Sequence, residues 1–183
     1  MRQLASLLAA TVLLATAAGA AAAEPDFWTT PTIRGYGRIH ALPDAAYKPD
    51  PHSNYRIVFS LTAAGKSPAD VNPGLDHVAR AVNLYVASGV PLSRLKFVAV
   101  AAGPATALAL DDEHYRAQFA TANPNLPLIA ELRKAGVDVA VCGQAVAEHQ
   151  YDYAWLDKSV TLSLSSLTTI TTLQHAGYAL VTF

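Results

Sequence analysis

The chain alternates short, nearly all-apolar runs with segments of helical period, and few architectures accept that alternation. The runs are YRIVFSL from Tyr55, LKFVAVAAG from Leu95, VDVAVC from Val137, KSVTLSL from Lys158 and the closing ALVTF from Ala179. Strands of such composition are buried on both faces, and helices between them make the strands parallel. Right-handed crossovers then place helices on both sides of the sheet. The expected fold is α/β, with a mainly parallel sheet of about five strands. In sheets of this kind a ligand site lies outside the carboxyl ends of the strands.

The connecting segments carry their own start and stop signals. In NPGLDHVARAVNLYVASG, Asn72 caps, Pro73 suits the first helical position and Gly89 ends the helix. Leu75, Val78, Ala79, Val82, Tyr85 and Val86 share one face, while His77 falls off that stripe and is expected in solvent. Asp111 caps a short helix through Phe119, and Leu128, Ile129 and Leu132 turn inward on another that stops at Gly136. A short helix is expected after Gly143. The last helix forms despite four threonines, because Leu167, Ile170 and Leu173 keep its period and Gly177 closes it.

Both features of the amino-terminal end differ from this pattern. Residues 1–23 have Arg2, then an apolar stretch from Leu4 to about Ala15, then small residues, the layout of a secretory signal peptide. Export to the periplasm follows as an expectation, with no membrane span in the mature chain. Residues 24–54 hold Pro25, Pro31, Pro43, Pro49 and Pro51 among Phe27, Trp28, Tyr36 and Tyr47. Prolines at that density forbid a long helix or central strand, so this stretch reads as an extended arm on the domain or on a neighbouring subunit, or as a loose linker. Residues 55–183 form the α/β domain.

With 15% charged residues and a net charge of −1, the chain has no basic stripe for nucleic acid. Its one cysteine, Cys142, excludes a disulfide framework. That thiol ends a strand and precedes Gly143 and a helix start. Backbone N–H groups and the positive end of a helix dipole favour thiolate there, Gly143 permits close approach, and Gln144 can donate a hydrogen bond. The alternative is a buried filler among aliphatic side chains.

Other chemistry is less well supplied. Cys142 with His149 makes one thiol and one imidazole, short of the four ligands of a structural zinc site, so no metal is expected. The Gly-Lys-Ser string in AAGKSPAD lacks the first glycine of a phosphate loop and reads as a polar loop. Gly103 and Gly143 suit a small anion or thiol ligand at the sheet edge, or ordinary tight turns.

The segments AAGPATALAL, NPNLPLIAELRKAGVDVAVCGQ and LQHAGYALVTF resemble the DsrE/DsrF-like family, in an exported branch with a Cys-Gly-Gln motif. The resemblance runs over most of Tyr55 to Phe183, most specifically from Asn123 to Gln144. It implies a YchN-like three-layer α/β/α fold, often assembled as trimers or hexamers. It also implies a cysteine that relays persulfide sulfur between proteins, here Cys142, with no dissociable cofactor. Gly103, Pro104, Asn123, Gly143 and Gln144 are the pocket residues on this reading, and a sulfur donor or acceptor protein is the partner. Where many members have histidine before Gly-Pro, this chain has Ala102, which weakens an enzymatic role more than a binding one. A non-catalytic oligomeric binding module with a structural cysteine is the alternative function.

Overall fold

The computed structural model describes residues 27–183. The signal-peptide expectation for residues 1–23 lies outside them. The elements run β1 (Tyr55–Leu61), α1 (Pro73–Ala87), β2 (Leu95–Ala101), α2 (Asp112–Phe119), α3 (Leu126–Lys134), β3 (Asp138–Cys142), α4 (Gly143–Glu148), β4 (Thr161–Ser163), α5 (Ser166–His175) and β5 (Ala179–Thr182). A 3-10 run, Gly103–Ala109, follows β2. The sheet order is β4-β3-β2-β1-β5, and every pairing is parallel.

Alternation along each strand divides the core between two faces. Ile57, Phe59 and Leu61 of β1, Phe97 of β2 and Val139 and Val141 of β3 meet Leu75, Val78 and Val82 of α1 and Leu128, Ile129 and Leu132 of α3 in one cluster. Phe59 and Phe97 pack edge to face, their centroids 5.4 Å apart. On the opposite face Val58, Val100 and Ala140 are covered by Ile170 and Leu173 of α5, with Tyr178 beside them. The result is three-layer α/β/α with unequal outer layers.

Local signals place α1 as the sequence suggests. Asn72 Oδ1 accepts from the Leu75 N–H at 3.1 Å, and Gly89, at φ +93°, turns the chain out of the helix. Two details differ from expectation. The strand expected over KSVTLSL shortens to Thr161–Ser163, because β4 is an edge strand held only by β3. His77 is half-buried rather than solvated: its ring lies 4.8 Å from that of Phe183 and its Nδ1 is sealed without a partner. Phe183, brought over by β5, closes off the side of α1 that the helical stripe leaves polar.

The arm lies along α1 of its own domain. Asn83, fully buried, accepts from the N–H groups of Thr32 (3.0 Å) and Ile33 (2.8 Å) and donates to the carbonyls of Tyr36 (3.0 Å) and Gly37 (2.9 Å). Gly37 donates in turn to Asp76 Oδ1 at 2.7 Å. Its φ is +58°, and a Cβ there would sit 2.1 Å from Arg80 N, so only glycine lets the arm approach the helix. Ile33 joins the main core from this side.

Candidate functional site

The site begins with strand ends. Val100 and Ala101 of β2 pair with Ala140 and Val141 of β3, so Ala102 and Cys142 follow side by side and pack with Ala145 of α4. Cys142 also pairs in register with Ser163, the last residue of β4. The chain enters α4 at Gly143, where a Cβ would meet the Ser163 carbonyl oxygen at 2.8 Å and that of Leu164 at 3.4 Å. A side chain at this corner would push β4 away from β3. Beyond β4, Ser165 caps α5 by accepting from the Leu167 N–H at 3.2 Å. Two helices therefore start beside one sulfur.

That convergence decides the state of the thiol. Burial, with Cys142 only 4% exposed, pushes its pKa up. The backbone N–H of Ser166, that of Ala145, the Ser166 hydroxyl and the Gln144 N–H offer the sulfur hydrogen bonds that pull it down, and the downward set wins. The thiolate is favoured relative to an ordinary cysteine.

Apart from the Ser166 hydroxyl, the neighbouring polar side chains brace the corner. Gln144 Nε2 donates to the Leu164 carbonyl (3.3 Å), the Ser163 hydroxyl to Val141 (2.9 Å) and the Tyr153 hydroxyl to Gly143 (3.2 Å). The expected role of Gln144 as a donor thus passes to its backbone amide. Gly103, at φ +53°, accepts from His149 Nε2–H at 2.9 Å, and the imidazole stacks on Tyr151. A carbonyl only accepts, so Nε2 carries the proton, and His149 is bound to main chain.

Pro104 and Asn123 stand apart from this group. Pro104 lines a cavity of about 170 Å³ together with Gly65, Lys66, Ser67, Asn72 and Tyr115, and Cys142 does not line it. The Gly-Lys-Ser loop, read as merely polar, is one wall of that cavity. Asn123 is buried, donates to the carbonyls of Leu108 (3.1 Å) and Leu110 (2.6 Å) and accepts from Asn125 N and Nδ2 (both 3.0 Å). Its side chain is engaged within the fold as a bracket between the 3-10 run and the start of α3. Among the described residues no group of three or more His, Cys, Asp or Glu could hold a metal ion.

Ser166 is the contributor that sequence reading misses. Its only local sign is the Ser165-Ser166 pair at a helix start, and nothing local says that this start faces Cys142. The link is the pairing of Cys142 with Ser163, made across the intervening α4 and its following loop.

Comparison with known proteins agrees with this architecture. No curated protein matches the chain. Among solved structures, the protein of unknown function MTH1491 from Methanobacterium thermoautotrophicum is similar, with a TM-score of 0.52 and 20% identity over 71% of this chain and 100% of that one. At that identity the likeness concerns the fold. The model of the DsrE/DsrF-like family matches residues 54–183, from the residue before β1 to the carboxyl end. The chain belongs to the DsrE/DsrF-like family.

Proposed function

We propose that this protein is an exported sulfur carrier in which Cys142 takes up sulfane sulfur as a persulfide and passes it to an acceptor. Family membership supports a sulfur-relay role at the level of the family. The observation that carries the reading to Cys142 is the start of α4 and α5 beside its sulfur. In uptake, the Cys142 thiolate attacks the outer sulfur of a donor persulfide. The donor S–S bond breaks, an S–S bond forms on Cys142, and the donor leaves as thiolate with the electron pair. Release is the same displacement by an acceptor thiolate, so neither step needs an oxidant or a dissociable cofactor. Ala102 leaves that position without a proton donor, which suits carriage by an environment-stabilised thiolate more than general acid–base catalysis.

The Cys-Gly-Gln motif of an exported branch, Cys142 to Gln144, belongs to this reading, as does cleavage of residues 1–23 and residence in the periplasm. Among the described residues no helix is long and apolar enough to cross a membrane. The proposed partners are a sulfur donor or acceptor protein and further copies of the chain.

Intact-mass measurement after exposure to a persulfide donor tests the proposal. A gain of about 32 Da, one sulfur atom, is expected on the native protein and absent from Cys142→Ser. A thiol that alkylates only in denaturant sinks it. The 4% exposure of Cys142 favours a second reading, a binding module with a structural cysteine. In that case Cys142→Ser lowers stability, and no sulfur is ever taken up.

A further inference from the structure

We propose that the cavity beside Lys66 binds a small carboxylate with a short apolar body. The cavity, about 170 Å³, lies outside the carboxyl ends of β1 and β2, walled by the loop that follows β1 and the 3-10 run that follows β2. That loop is tied down along its length. Asn72 Nδ2 donates to the Ala63 carbonyl at 2.8 Å, the Tyr115 hydroxyl to that of Pro68 at 2.8 Å, and the Asp70 N–H to that of Ser67 at 3.1 Å. The space is therefore preformed, as small-molecule sites usually are. Cys142 does not line it, so the proposal is independent of sulfur carriage.

The wall supplies donors to an acceptor. Asn72 and Asn125, 4% and 3% exposed, both line the cavity. Each side-chain amide carries two hydrogens and spends one inside the fold, Asn72 on Ala63 and Asn125 on Asn123 Oδ1 at 3.0 Å. One buried N–H on each is left for an acceptor. The same two residues open α1 and α3. Asn125 does not cap its own helix, because its Oδ1 accepts from the Asn72 N–H at 2.7 Å. Two helix amino termini thus bring positive potential to one place, and one of them lacks a side-chain acceptor. Lys66 adds a full positive charge and is not ion-paired among the described residues. Pro104, Ala105, Ala107, Leu108 and Phe119 make the rest of the wall apolar. A cavity of about 150 Å³ holds benzene, so this one suits a body of about six to eight non-hydrogen atoms. Asp70, also in the lining and also without an ion pair among the described residues, offers a partner to an ammonium. Its charge favours an apolar α-amino acid over a plain short-chain acid as the source of the carboxylate.

Isothermal titration of the purified protein tests this, with valine and leucine against isovalerate and isocaproate, the same bodies without the ammonium. The expected result is one site per chain with a dissociation constant between roughly 10 μM and 1 mM, the amino acids binding tighter than the acids. Lys66→Gln should weaken binding at least about tenfold by removing a charge-assisted hydrogen bond. Ala107→Leu, which fills the cavity, should abolish it. Lys66 is exposed and Ala107 half-buried, so both variants should keep the native circular dichroism spectrum. Acids that bind where the amino acids do not still support the carboxylate site and assign it to a plain acid. The proposal is overturned if none of the four binds at roughly 10 mM, a concentration that detects even millimolar affinity. Binding unmoved by both Lys66→Gln and Ala107→Leu overturns it as well.

Discussion

The two sides of the sheet are built to different depths. On one side the strands are covered by α1 and α3, and α1 is covered again by the arm through Asn83 and Gly37. On the other side α5 lies alone, with no buried residue of its own. Apolar burial sets stability roughly in proportion to area, so the first side holds the fold and the second has little hold on itself. The lesson is spatial: the thiol lies on the thin side, where two helix starts meet it under a single exposed layer. Elements on the less stable side are the ones that open locally at the lowest cost.

The largest effect should come from the deep side. Phe97→Ala removes a ring packed against Phe59 and Tyr85 and is expected to cost about 3–5 kcal/mol in urea unfolding. Asn83→Ala strands the N–H groups of Thr32 and Ile33 and should cost roughly 2–3 kcal/mol, with early proteolysis of the arm. If the arm of this variant stays as protected as before, the arm is not held through Asn83.

At the boundary between the two sides, Gly143→Ala forces a Cβ against the Ser163 carbonyl and should cost about 1–3 kcal/mol. The same change should slow thiol alkylation by moving β4 and the start of α5 away from the sulfur. On the thin side Ile170→Ala should cost only roughly 1 kcal/mol, because Ile170 is half-buried. A loss equal to that of Phe97→Ala would break the comparison of the two sides.

The smallest effect is electrostatic and has a definite sign. The Cys142 pKa is lowered in the fold, so its ionisation contributes stability that is fully present above the ordinary thiol value. That contribution fades as pH falls toward the folded value and is absent below it. Urea unfolding of native protein against Cys142→Ala over a pH series should show the difference growing with pH across that window. Ser166→Ala should narrow the window and raise the midpoint of the alkylation rate against pH, since it removes the hydroxyl contribution and keeps the amide. A midpoint unchanged by Ser166→Ala would remove the Ser166 hydroxyl from the site and leave only its amide.

How much of this was legible depends on distance along the chain. The cap at Asn72, the stops at Gly89 and Gly136 and the helix start after Cys142 are local signals, and each stands where the residues suggest. Pro104 and Asn123 lie in segments that resemble the family, and shared sequence similarity grouped them with Cys142; their contacts lie elsewhere. His77 looked solvated because helical period alone cannot anticipate Phe183 arriving from the other end of the chain. Asn83 showed no local sign of being a hub, for its partners lie in the arm, about fifty residues earlier.

By itself, the sequence determined the strand and helix order, the parallel sheet and the position of one thiol at a strand's carboxyl end. Those follow from hydrophobic period and from Gly and Pro signals, which act within a few residues. Only the tertiary structure decided that β4 lies beside β3, that α5 therefore begins next to Cys142, and that one face is thick and the other thin. The physical reason is register. Which strand pairs with which is set by the summed packing of the whole sheet, and no short stretch of residues encodes it.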